Sequence, residues 1–471
     1  MFIGREAELQ KMNQRYERDS LEFIVIYGRR RVGKTALINE FVKDKPCIYF
    51  SALRANRKEN LEAFSKSIYQ FDHPDVQEAP VFSSFDSAFS EITRMVEKNR
   101  IVLVIDEFPY LAEADESISS RLQHLLDHDW GKTKIYLILC GSSMSYMEKE
   151  VLSGKSPLFG RRTAQLYLQP MDYLTSARFL PDASPEEKAI IYGITGGIPH
   201  YINKLGFAGS LQNALLDNLF DSSAYLFEEP QNLLKQELRE PALYNSIISV
   251  IAAGNTKLSD ISTKSGMDQS ACLKYIKVLM ELAIIKKVEP VVDRSAKKKE
   301  YRVADPFFRF WYRFVPQNMT AITTGTMSRI YHAAVESYLS GYMGATFEDI
   351  CRQYLLLHMD QLPFPIHEIG EWWGTLPKEK KEAQIDIVAT SIRENNVQDG
   401  RQYLIGSCKY LNDQVGVEEF ALMKNYASAF TSIQDECYFY IFSKSGFTQK
   451  LHELEKNGEV HLISLSDIYQ N

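Results

Sequence analysis

Proline and glycine are scarce in this chain of 471 residues, and no segment is of low complexity, so the composition is that of an ordinary globular protein. The six cysteines are scattered without a C-x-x-C pair, which argues against a zinc cage and against a disulfide framework. The most apolar runs, such as Phe23–Tyr27 and Ile135–Cys140, have only the length of a buried strand. We therefore expect no membrane-spanning segment.

The chain also lacks a positive net charge. Its formal net charge is −7, which argues against a protein that coats nucleic acid non-specifically but is compatible with a local basic patch. The first residues have no apolar signal core, so we expect a cytoplasmic protein. At this length we expect roughly two to four domains, because single hydrophobic cores usually stop growing near 250–300 residues.

Short β-branched runs alternate with amphipathic stretches in the N-terminal third of the chain. This alternation predicts an α/β fold with a parallel sheet and crossover helices. Continuous apolar strands are typical of sheets that are covered on both faces. The predicted strands are Phe23–Tyr27, Cys47–Phe50, Ile101–Ile105 and Ile135–Cys140, and the predicted helices are Thr35–Lys43, Phe85–Lys98 and Ile118–Leu126.

A glycine-rich loop follows the first predicted strand. In the pattern Gly28-x4-Gly33-Lys34-Thr35, backbone N–H groups curl around phosphates and the next helix points its N-terminus at them. Lys34 is expected to reach the β- and γ-phosphate oxygens, and Thr35 to give its hydroxyl to Mg²⁺. The loop therefore predicts binding of ATP with Mg²⁺, and of ADP, through Gly28, Arg29, Arg30, Arg31, Val32, Gly33, Lys34, Thr35 and Ala36.

The apolar run Ile101–Ile105 ends in two acidic residues, Asp106 and Glu107. A buried strand of this kind delivers carboxylates to the edge of the sheet where α/β folds bind ligands. Asp106 is expected to hold Mg²⁺, directly or through water, and Glu107 to orient and polarise an attacking water. The pair predicts hydrolysis of the nucleotide as well as binding.

Two further groups are candidates for contact with the γ-phosphate. Ser142 follows the strand Ile135–Cys140, where a short polar side chain either senses that phosphate or serves ordinary turn chemistry. Arg161 and Arg162 are candidates for an arginine that reaches the γ-phosphate, although paired arginines are also common on protein surfaces. Such an arginine acts either in cis or across a subunit boundary, and the second arrangement implies a homo-oligomer.

Five segments of the chain, taken together, match the motifs of one known protein family. In order along the chain they resemble the archaeal-type ATPase family of the AAA+/STAND side of the P-loop NTPases, over roughly the first 230 residues. The resemblance implies that Phe2–Arg5 lies near the adenine and that Pro199 contacts the nucleotide from a small helical lid. The segments are Phe2-Ile-Gly-Arg-Glu, the loop from Tyr27 to Thr35, Ile105-Asp-Glu-Phe, Cys140-Gly-Ser-Ser and Thr195-Gly-Gly-Ile-Pro199.

The middle of the chain has helical and then ribbon-like patterns. Three short predicted helices, of which the last is Asp268–Leu282, precede a basic two-stranded ribbon, and these are the parts of a winged helix-turn-helix. Lys274 and Lys277 would face outward, and Arg294 with Lys297–Lys299 would contact DNA phosphates, although a lysine-rich hairpin tip is often simply solvated. The aromatic segment Phe307–Phe314 is expected to form buried core rather than a base-stacking surface.

The C-terminal part contains the stretches Phe347-Glu348, Glu371-Trp-Trp-Gly374, Gln384-Ile-Asp386-Ile-Val-Ala, Ile405-Gly-Ser-Cys-Lys409 and Phe442-Ser-Lys-Ser-Gly-Phe447. On these stretches it resembles the C-terminal region that accompanies such ATPases, in which a winged helix is followed by a domain similar to PD-(D/E)XK nucleases. The resemblance implies a metal held by Glu348 and Asp386, with Lys409 beside it. The departure is Ser407, where an active site of this type usually carries Glu or Asp. Either an active nuclease or a nuclease-like fold kept for binding is therefore compatible with the sequence.

Three functions fit these features. The first is a nucleotide-driven switch coupled to a DNA-acting module, the second a STAND-like signalling or scaffolding ATPase, and the third a DNA-binding regulator with a vestigial nuclease domain. The expected regions are an ATPase core, a helical lid, a winged helix-turn-helix, an aromatic helical linker and a nuclease-like domain, at residues 1–170, 171–235, 236–304, 305–343 and 344–471, respectively.

Overall fold

The computed structural model describes residues 2–292, 299–376, 379–392 and 400–470. The chain divides into two compact units. Unit 1 consists of Met1–Met171 and Ile198–His200, and unit 2 consists of Asp172–Gly197 and Tyr201–Asn471. Among the described residues, none of the helices combines the length and the apolar character that a membrane crossing requires.

Unit 1 is built on a five-stranded parallel sheet in the order β2-β3-β4-β1-β5. The inner strands β1, β3 and β4 are buried along their whole length, as expected for a sheet covered on both faces. The predicted α/β fold is confirmed, and β5 is a strand that the sequence pattern did not predict. The strands are β1 (Glu22–Tyr27), β2 (Cys47–Ser51), β3 (Val102–Asp106), β4 (Tyr136–Gly141) and β5 (Ala164–Tyr167).

Side chains of β1 alternate between the two faces of this sheet. Phe23 and Val25 join one apolar cluster, whereas Ile24 and Ile26 join the other. The helices of unit 1 are α1 (Glu6–Tyr16), α2 (Lys34–Val42), α3 (Arg57–Asp72), α4 (Phe85–Val96), α5 (Phe108–Ala114), α6 (Ile118–His124) and α7 (Met144–Tyr146), and π-helical turns follow α6 and α7 at Leu125–Asp129 and Met147–Val151.

The strand order brings three loops together. Because β1, β3 and β4 are parallel neighbours, their carboxyl ends meet at one edge of the sheet. These ends lead into the Gly28–Thr35 loop, the Asp106–Glu107 pair and Ser142, respectively. The chemistry-bearing residues of unit 1 thus share one edge.

Unit 2 contains a second five-stranded sheet, in the order β12-β11-β10-β9-β8, and a two-stranded antiparallel ribbon β6-β7. Strand β9 is antiparallel to both of its neighbours, whereas β10, β11 and β12 are parallel to one another. The strands are β6 (Ile285–Val288), β7 (Glu300–Val303), β8 (Glu368–Thr375), β9 (Glu382–Thr390), β10 (Gln402–Lys409), β11 (Glu436–Ser443) and β12 (His461–Ser464).

Helices of unit 2 fill the chain before and between these strands. They are α8 (Tyr173–Ala177), α9 (Pro185–Thr195), α10 (Pro199–Leu205, whose first residues belong to unit 1), α11 (Leu211–Asn218), α12 (Tyr225–Glu237), α13 (Pro241–Ala252), α14 (Leu258–Ser265), α15 (Gln269–Glu281), α16 (Pro306–Phe314), α17 (Met319–Thr323), α18 (Met327–Tyr331), α19 (Ser337–Leu357), α20 (Val417–Ala427), α21 (Gln449–Lys456) and α22 (Leu465–Ile468).

The predicted aromatic segment is helix α16, and its rings are almost all buried. Trp311, for example, is buried and donates its indole N–H to the carbonyl oxygen of Phe227 at 2.7 Å. This burial agrees with the expectation that the segment forms core. Of the predicted basic ribbon tip, Lys299 is described, whereas Arg294, Lys297 and Lys298 lie outside the described residues.

An aromatic cluster on one face of the first sheet offers a test of the core. The ring of Phe89 is buried, with its centroid 5.3 Å from that of Phe64 and 5.9 Å from that of Trp130. Phe89→Ala should destabilise unit 1 by about 3–5 kcal/mol, because it removes buried apolar area and leaves a cavity. The measurement is the urea midpoint followed by tryptophan fluorescence, to which Trp130 contributes the signal of unit 1 and Trp311, Trp372 and Trp373 that of unit 2.

The matched control is Phe159→Ala, because the Phe159 side chain is 47% exposed. This change should lower the free energy of unfolding by less than about 1 kcal/mol. Equal shifts for the two variants would contradict the assignment of Phe89 to the core.

Candidate functional site

The loop between β1 and α2 has the curled backbone of an anion site. Its φ angles are positive at Gly28 (151°), Arg31 (72°) and Gly33 (96°), and such turns direct successive N–H groups to their concave side. A Cβ atom at Gly28 would lie 2.3 Å from the carbonyl oxygen of Leu168, so only glycine fits there. Gly33 is the N-cap of α2, which places the loop at a helix N-terminus.

Lys34 points its ammonium group back into this loop. Its side chain is buried, and Nζ donates hydrogen bonds to the carbonyl oxygens of Gly28 (2.8 Å) and Arg29 (3.0 Å). Burial lowers the pKa of Lys34, and the nearby acids Asp106 and Glu107 offset part of that effect. A phosphate group in the loop would compensate the same buried charge.

The other loop residues differ in their burial and in their contacts. Arg29 is buried, Arg30 donates to the Tyr110 hydroxyl at 2.8 Å, and Val32 joins the apolar cluster beneath the loop, whereas Thr35 and Ala36 are exposed.

Arg5 also fastens the loop. It donates from Nη2 to the carbonyl oxygen of Val32 at 3.1 Å and to that of Gln169. Phe2 packs against the apolar cluster that contains Val32. The family resemblance implies that the Phe2–Arg5 segment lies near the adenine, and in the structure Arg5 and Phe2 support the loop.

Both carboxylate oxygens of Asp106 accept hydrogen bonds. Its Oδ2 atom accepts from the Tyr49 hydroxyl at 2.7 Å and from Thr35 Oγ1 at 3.3 Å, and its Oδ1 atom accepts from the Glu107 backbone N–H at 2.9 Å. A hydroxyl and a carboxylate this close are ligands that Mg²⁺ prefers. The residues present therefore fit the expected cation.

Tyr49 was not predicted from the sequence. It lies on β2, the strand that pairs with β3, and its pKa is raised by burial and by Asp106. The strand pairing, which no local pattern reveals, is what brings the hydroxyl to the carboxylate.

Ser142 contacts Glu107 directly. The Ser142 hydroxyl donates to the Glu107 carboxylate, with its Oγ atom 3.0 and 2.9 Å from the two oxygens, and the Ser142 N–H donates at 3.3 Å. Glu107 has a positive φ of 50°, so its backbone is in a conformation that needs support from its surroundings. The predicted sensor is thus bonded to the residue expected to activate water.

The remaining predicted residues of unit 1 lie in different environments. Arg161 forms a bidentate ion pair with Asp127, at 2.7 and 2.8 Å, and that bonding lowers the pKa of the Asp127 carboxyl. Arg162 donates to the Leu152 carbonyl oxygen at 3.3 Å. Pro199 lies beside the loop, since a Cβ atom on Gly33 would be 4.0 Å from its Cγ atom.

In unit 2, adjacent strands bring the predicted C-terminal residues together. Asp386 on β9 accepts a hydrogen bond from the Cys408 N–H at 2.9 Å, and Lys409 is the last residue of β10. Burial raises the pKa of Asp386. Glu348 on α19 has a pKa raised to about 8, first by burial and then by the charges of Asp386 and Glu371.

Glu419 on α20 is a neighbour that sequence reasoning missed. Its Oε1 atom lies 2.7 Å from Ser407 Oγ and 3.1 Å from Lys409 Nζ. Asp386, Ser407, Lys409 and Glu419 all line a cleft of about 660 Å³. Within the described part of the chain, no three His, Cys, Asp or Glu side chains form a ready-made metal cage.

Comparison with known proteins agrees with this architecture. Residues 2–205 match the family described as an ATPase domain predominantly from Archaea, and residues 311–420 match a family of archaea bacterial proteins of unknown function. An uncharacterized protein of Methanocaldococcus jannaschii is 32% identical over 392 residues, which are 83% of this chain and 84% of that protein.

Two further similarities cover different shares of the chain. An uncharacterized ATP-binding protein of Methanocaldococcus jannaschii is 42% identical over 45 residues, covering 10% of this chain and 76% of that protein. The structure of a Walker-type ATPase of Pyrococcus abyssi superposes with a TM-score of 0.52 and 20% identity, covering 66% of this chain and 96% of the other. At that identity the likeness concerns the fold alone. From these matches and from its curled P-loop, the chain belongs to the archaeal-type family of P-loop ATPases.

Proposed function

We propose that this chain is an ATP-hydrolysing molecular switch whose unit 2 acts on DNA. The ATPase part rests on one observation, the continuous set of hydrogen bonds that joins Thr35, Asp106, Glu107 and Ser142 at the edge of the sheet. These bonds unite the phosphate loop with the acidic pair, so the groups that bind a nucleotide and those that hydrolyse it form one site.

Each of these residues has a distinct role in the proposal. The N–H groups of the Gly28–Thr35 loop and the Lys34 ammonium bind the β- and γ-phosphates of the substrate ATP. Thr35 and Asp106 would hold Mg²⁺, which when bound neutralises phosphate charge. Glu107 orients a water and accepts its proton on the carboxylate, while Ser142 fixes the direction of that carboxylate.

Chain connectivity provides a route from the nucleotide to unit 2. Ile198–His200 belongs to unit 1, although the residues on both sides of it belong to unit 2. Pro199 lies next to Gly33 of the phosphate loop and is also the first residue of α10. A displacement of Pro199 by nucleotide would therefore be passed covalently to α9 and α10.

The DNA part of the proposal is supported by features of unit 2. Three helices, α13 to α15, precede the antiparallel ribbon β6-β7, which is the element order of a winged helix-turn-helix. Lys274 and Lys277 are exposed on α15, the helix that would enter a groove. We propose that unit 2 combines this DNA-binding element with a nuclease-like sheet.

Glu107→Gln tests hydrolysis. It should lower kcat for ATP at least about 100-fold, because the amide cannot accept the proton of water, while ATP affinity should change less than about threefold. Lys34→Ala should abolish ATP binding. Phosphate release and binding of a fluorescent ATP analogue measure the two effects.

Glu113→Gln is the control for this pair, because Glu113 is an exposed acid on α5. It should retain the wild-type rate. Hydrolysis at the wild-type rate by Glu107→Gln would show that another group activates water.

Tyr49→Phe tests the support of Asp106. Removing a hydrogen bond to a carboxylate costs about 1.5–3 kcal/mol, so the Mg²⁺ concentration that gives half-maximal ATPase activity should rise about tenfold or more. The rate at saturating Mg²⁺ should change little. Tyr69→Phe on α3 is the matched control, and an unchanged Mg²⁺ dependence in Tyr49→Phe would disprove the role of Tyr49.

DNA dependence tests the coupling of the two activities. Double-stranded DNA should raise the ATPase rate severalfold at low salt, and the effect should fall as salt rises, because phosphate contacts release counterions. The double variant Lys274→Gln/Lys277→Gln should weaken the stimulation. Lys450→Gln/Lys456→Gln on α21, also exposed, is the charge-matched control.

Other outcomes favour the other two functions. Nucleotide-dependent oligomerisation with no effect of DNA would favour a STAND-like signalling or scaffolding ATPase. Sequence-selective, salt-sensitive DNA binding that leaves the ATPase rate unchanged and yields no cleavage would favour a DNA-binding regulator.

A further inference from the structure

Two sets of elements form the walls of the cleft in unit 2. One wall is formed by β9, β10 and α20 and carries Asp386, Lys409 and Glu419. The ribbon strand β7 contributes Arg302 to the other wall, and Lys299 precedes that strand. The cleft therefore combines carboxylates with cations, with Lys409 beside Asp386 and Glu419, and Glu300 beside Arg302.

The Glu419 carboxylate is hydrogen-bonded to the Ser407 side chain. The Ser407 side chain is buried, and its hydroxyl donates to Glu419 Oε1 at 2.7 Å, while Lys409 Nζ lies 3.1 Å from the same oxygen. Helix α20 thus delivers a carboxylate to within one hydrogen bond of the β10 position where nuclease-like sites usually carry an acid.

Asp386 lies on β9, the strand that pairs with the Ser407 strand β10. Strands β9 and β10 pair antiparallel with Gly406 opposite Ile387, and the Cys408 N–H donates to Asp386 Oδ2. Glu419 is among the charges that raise the pKa of Asp386, after burial, whereas Lys409 lowers it. Asp386 and Glu419 line the same cleft, and a bound cation relieves the repulsion between two such carboxylates.

Two carboxylates are a sufficient protein contribution for Mg²⁺. This ion commonly binds through one or two carboxylates and completes its coordination with water and substrate phosphates, so no cage of three or more protein ligands is needed. The donor set of Asp386 and Glu419 fits that chemistry.

The cationic side chains of the second wall, Arg302 and Lys299, suit a phosphate group rather than a metal ion. Arg302 is held in place by ion pairs with Glu300 (2.8 Å) and Glu371 (2.7 Å), and Lys299 has a half-exposed side chain. A phosphodiester suits such a cleft, because its oxygens can contact the cationic side chains and a cation held by the carboxylates.

We infer that Glu419 replaces the acid missing at Ser407, so that Asp386 and Glu419 bind a divalent cation and Lys409 and Arg302 bind a nucleic-acid phosphodiester in this cleft. The inference rests on the proposed action of unit 2 on DNA. Hydrolysis of the diester adds the hydroxyl of a water to phosphorus, breaks one P–O bond and gives the proton to the leaving sugar oxygen, so water is the one co-reactant.

Binding of Mn²⁺ alone tests the cation site. The full chain should carry Asp106→Asn, so that the nucleotide site does not contribute. In that background Glu419→Gln should weaken Mn²⁺ binding, followed by electron paramagnetic resonance, at least about tenfold, because it removes one of two charged ligands. Glu418→Gln changes an exposed neighbour on the same helix and should stay within about twofold.

A second variant separates lost chemistry from lost folding. Ser407→Asp added to Glu419→Gln returns a carboxylate to the same place and should recover most of the Mn²⁺ affinity. If Glu419→Gln binds Mn²⁺ as tightly as its background, or if Ser407→Asp gives no recovery although circular dichroism shows a folded chain, the inference fails.

Assays with DNA distinguish this inference from the proposed function. Metal-dependent cleavage of linear or plasmid DNA that is lost in both Asp386→Ala and Glu419→Gln supports both. Cleavage that persists in Glu419→Gln overturns the inference and leaves the proposed function standing. Mn²⁺ binding that depends on Glu419, without any binding or cleavage of DNA, supports the cation site and overturns the DNA-directed function. Tighter DNA binding by Glu419→Gln without cleavage would mean that Glu419 only neutralises Lys409, which also overturns the inference.

Discussion

The hydrogen bonding of Asp106 is the interaction on which the nucleotide site depends. A carboxylate at the end of a buried strand is costly unless its oxygens are satisfied. Thr35, Tyr49 and the Glu107 N–H satisfy them, and they come from α2, β2 and the turn after β3. The same bonds therefore stabilise the edge of the sheet and position the groups that we propose bind and hydrolyse the nucleotide.

Sequence patterns predicted the parts of this site that are local. The inner strands are apolar runs, the loop from Gly28 to Thr35 has its own glycine spacing, and Asp106 directly follows a strand, so all could be read along the chain. Tyr49 and Arg5 could not, because their roles arise from strand pairing and from long-range contacts. Ser142 was predicted at the edge of the sheet where it lies, at the carboxyl ends of the strands. Its contact with Glu107 was not predicted, because it depends on the position of β4 between β1 and β3.

The C-terminal cleft also contains a residue whose position could not be predicted from local sequence patterns. The sequence drew attention to Asp386 and Lys409 and to the missing acid at Ser407. It gave no reason to single out Glu419, an ordinary acid near the start of an amphipathic helix, until the fold placed that helix beside β10. On our inference the group missing from the sequence motif is supplied from another element, which contacts in three dimensions reveal.

We propose that nucleotide bound at the phosphate loop displaces Ile198–His200. This displacement is then transmitted through the chain to α9 and α10. Hydrogen exchange measured by mass spectrometry, on Glu107→Gln with and without ATP and Mg²⁺, tests it most directly. The account predicts slower exchange both in residues 28–36 and in residues 193–205 when the nucleotide is bound. Slower exchange confined to residues 28–36 would contradict it.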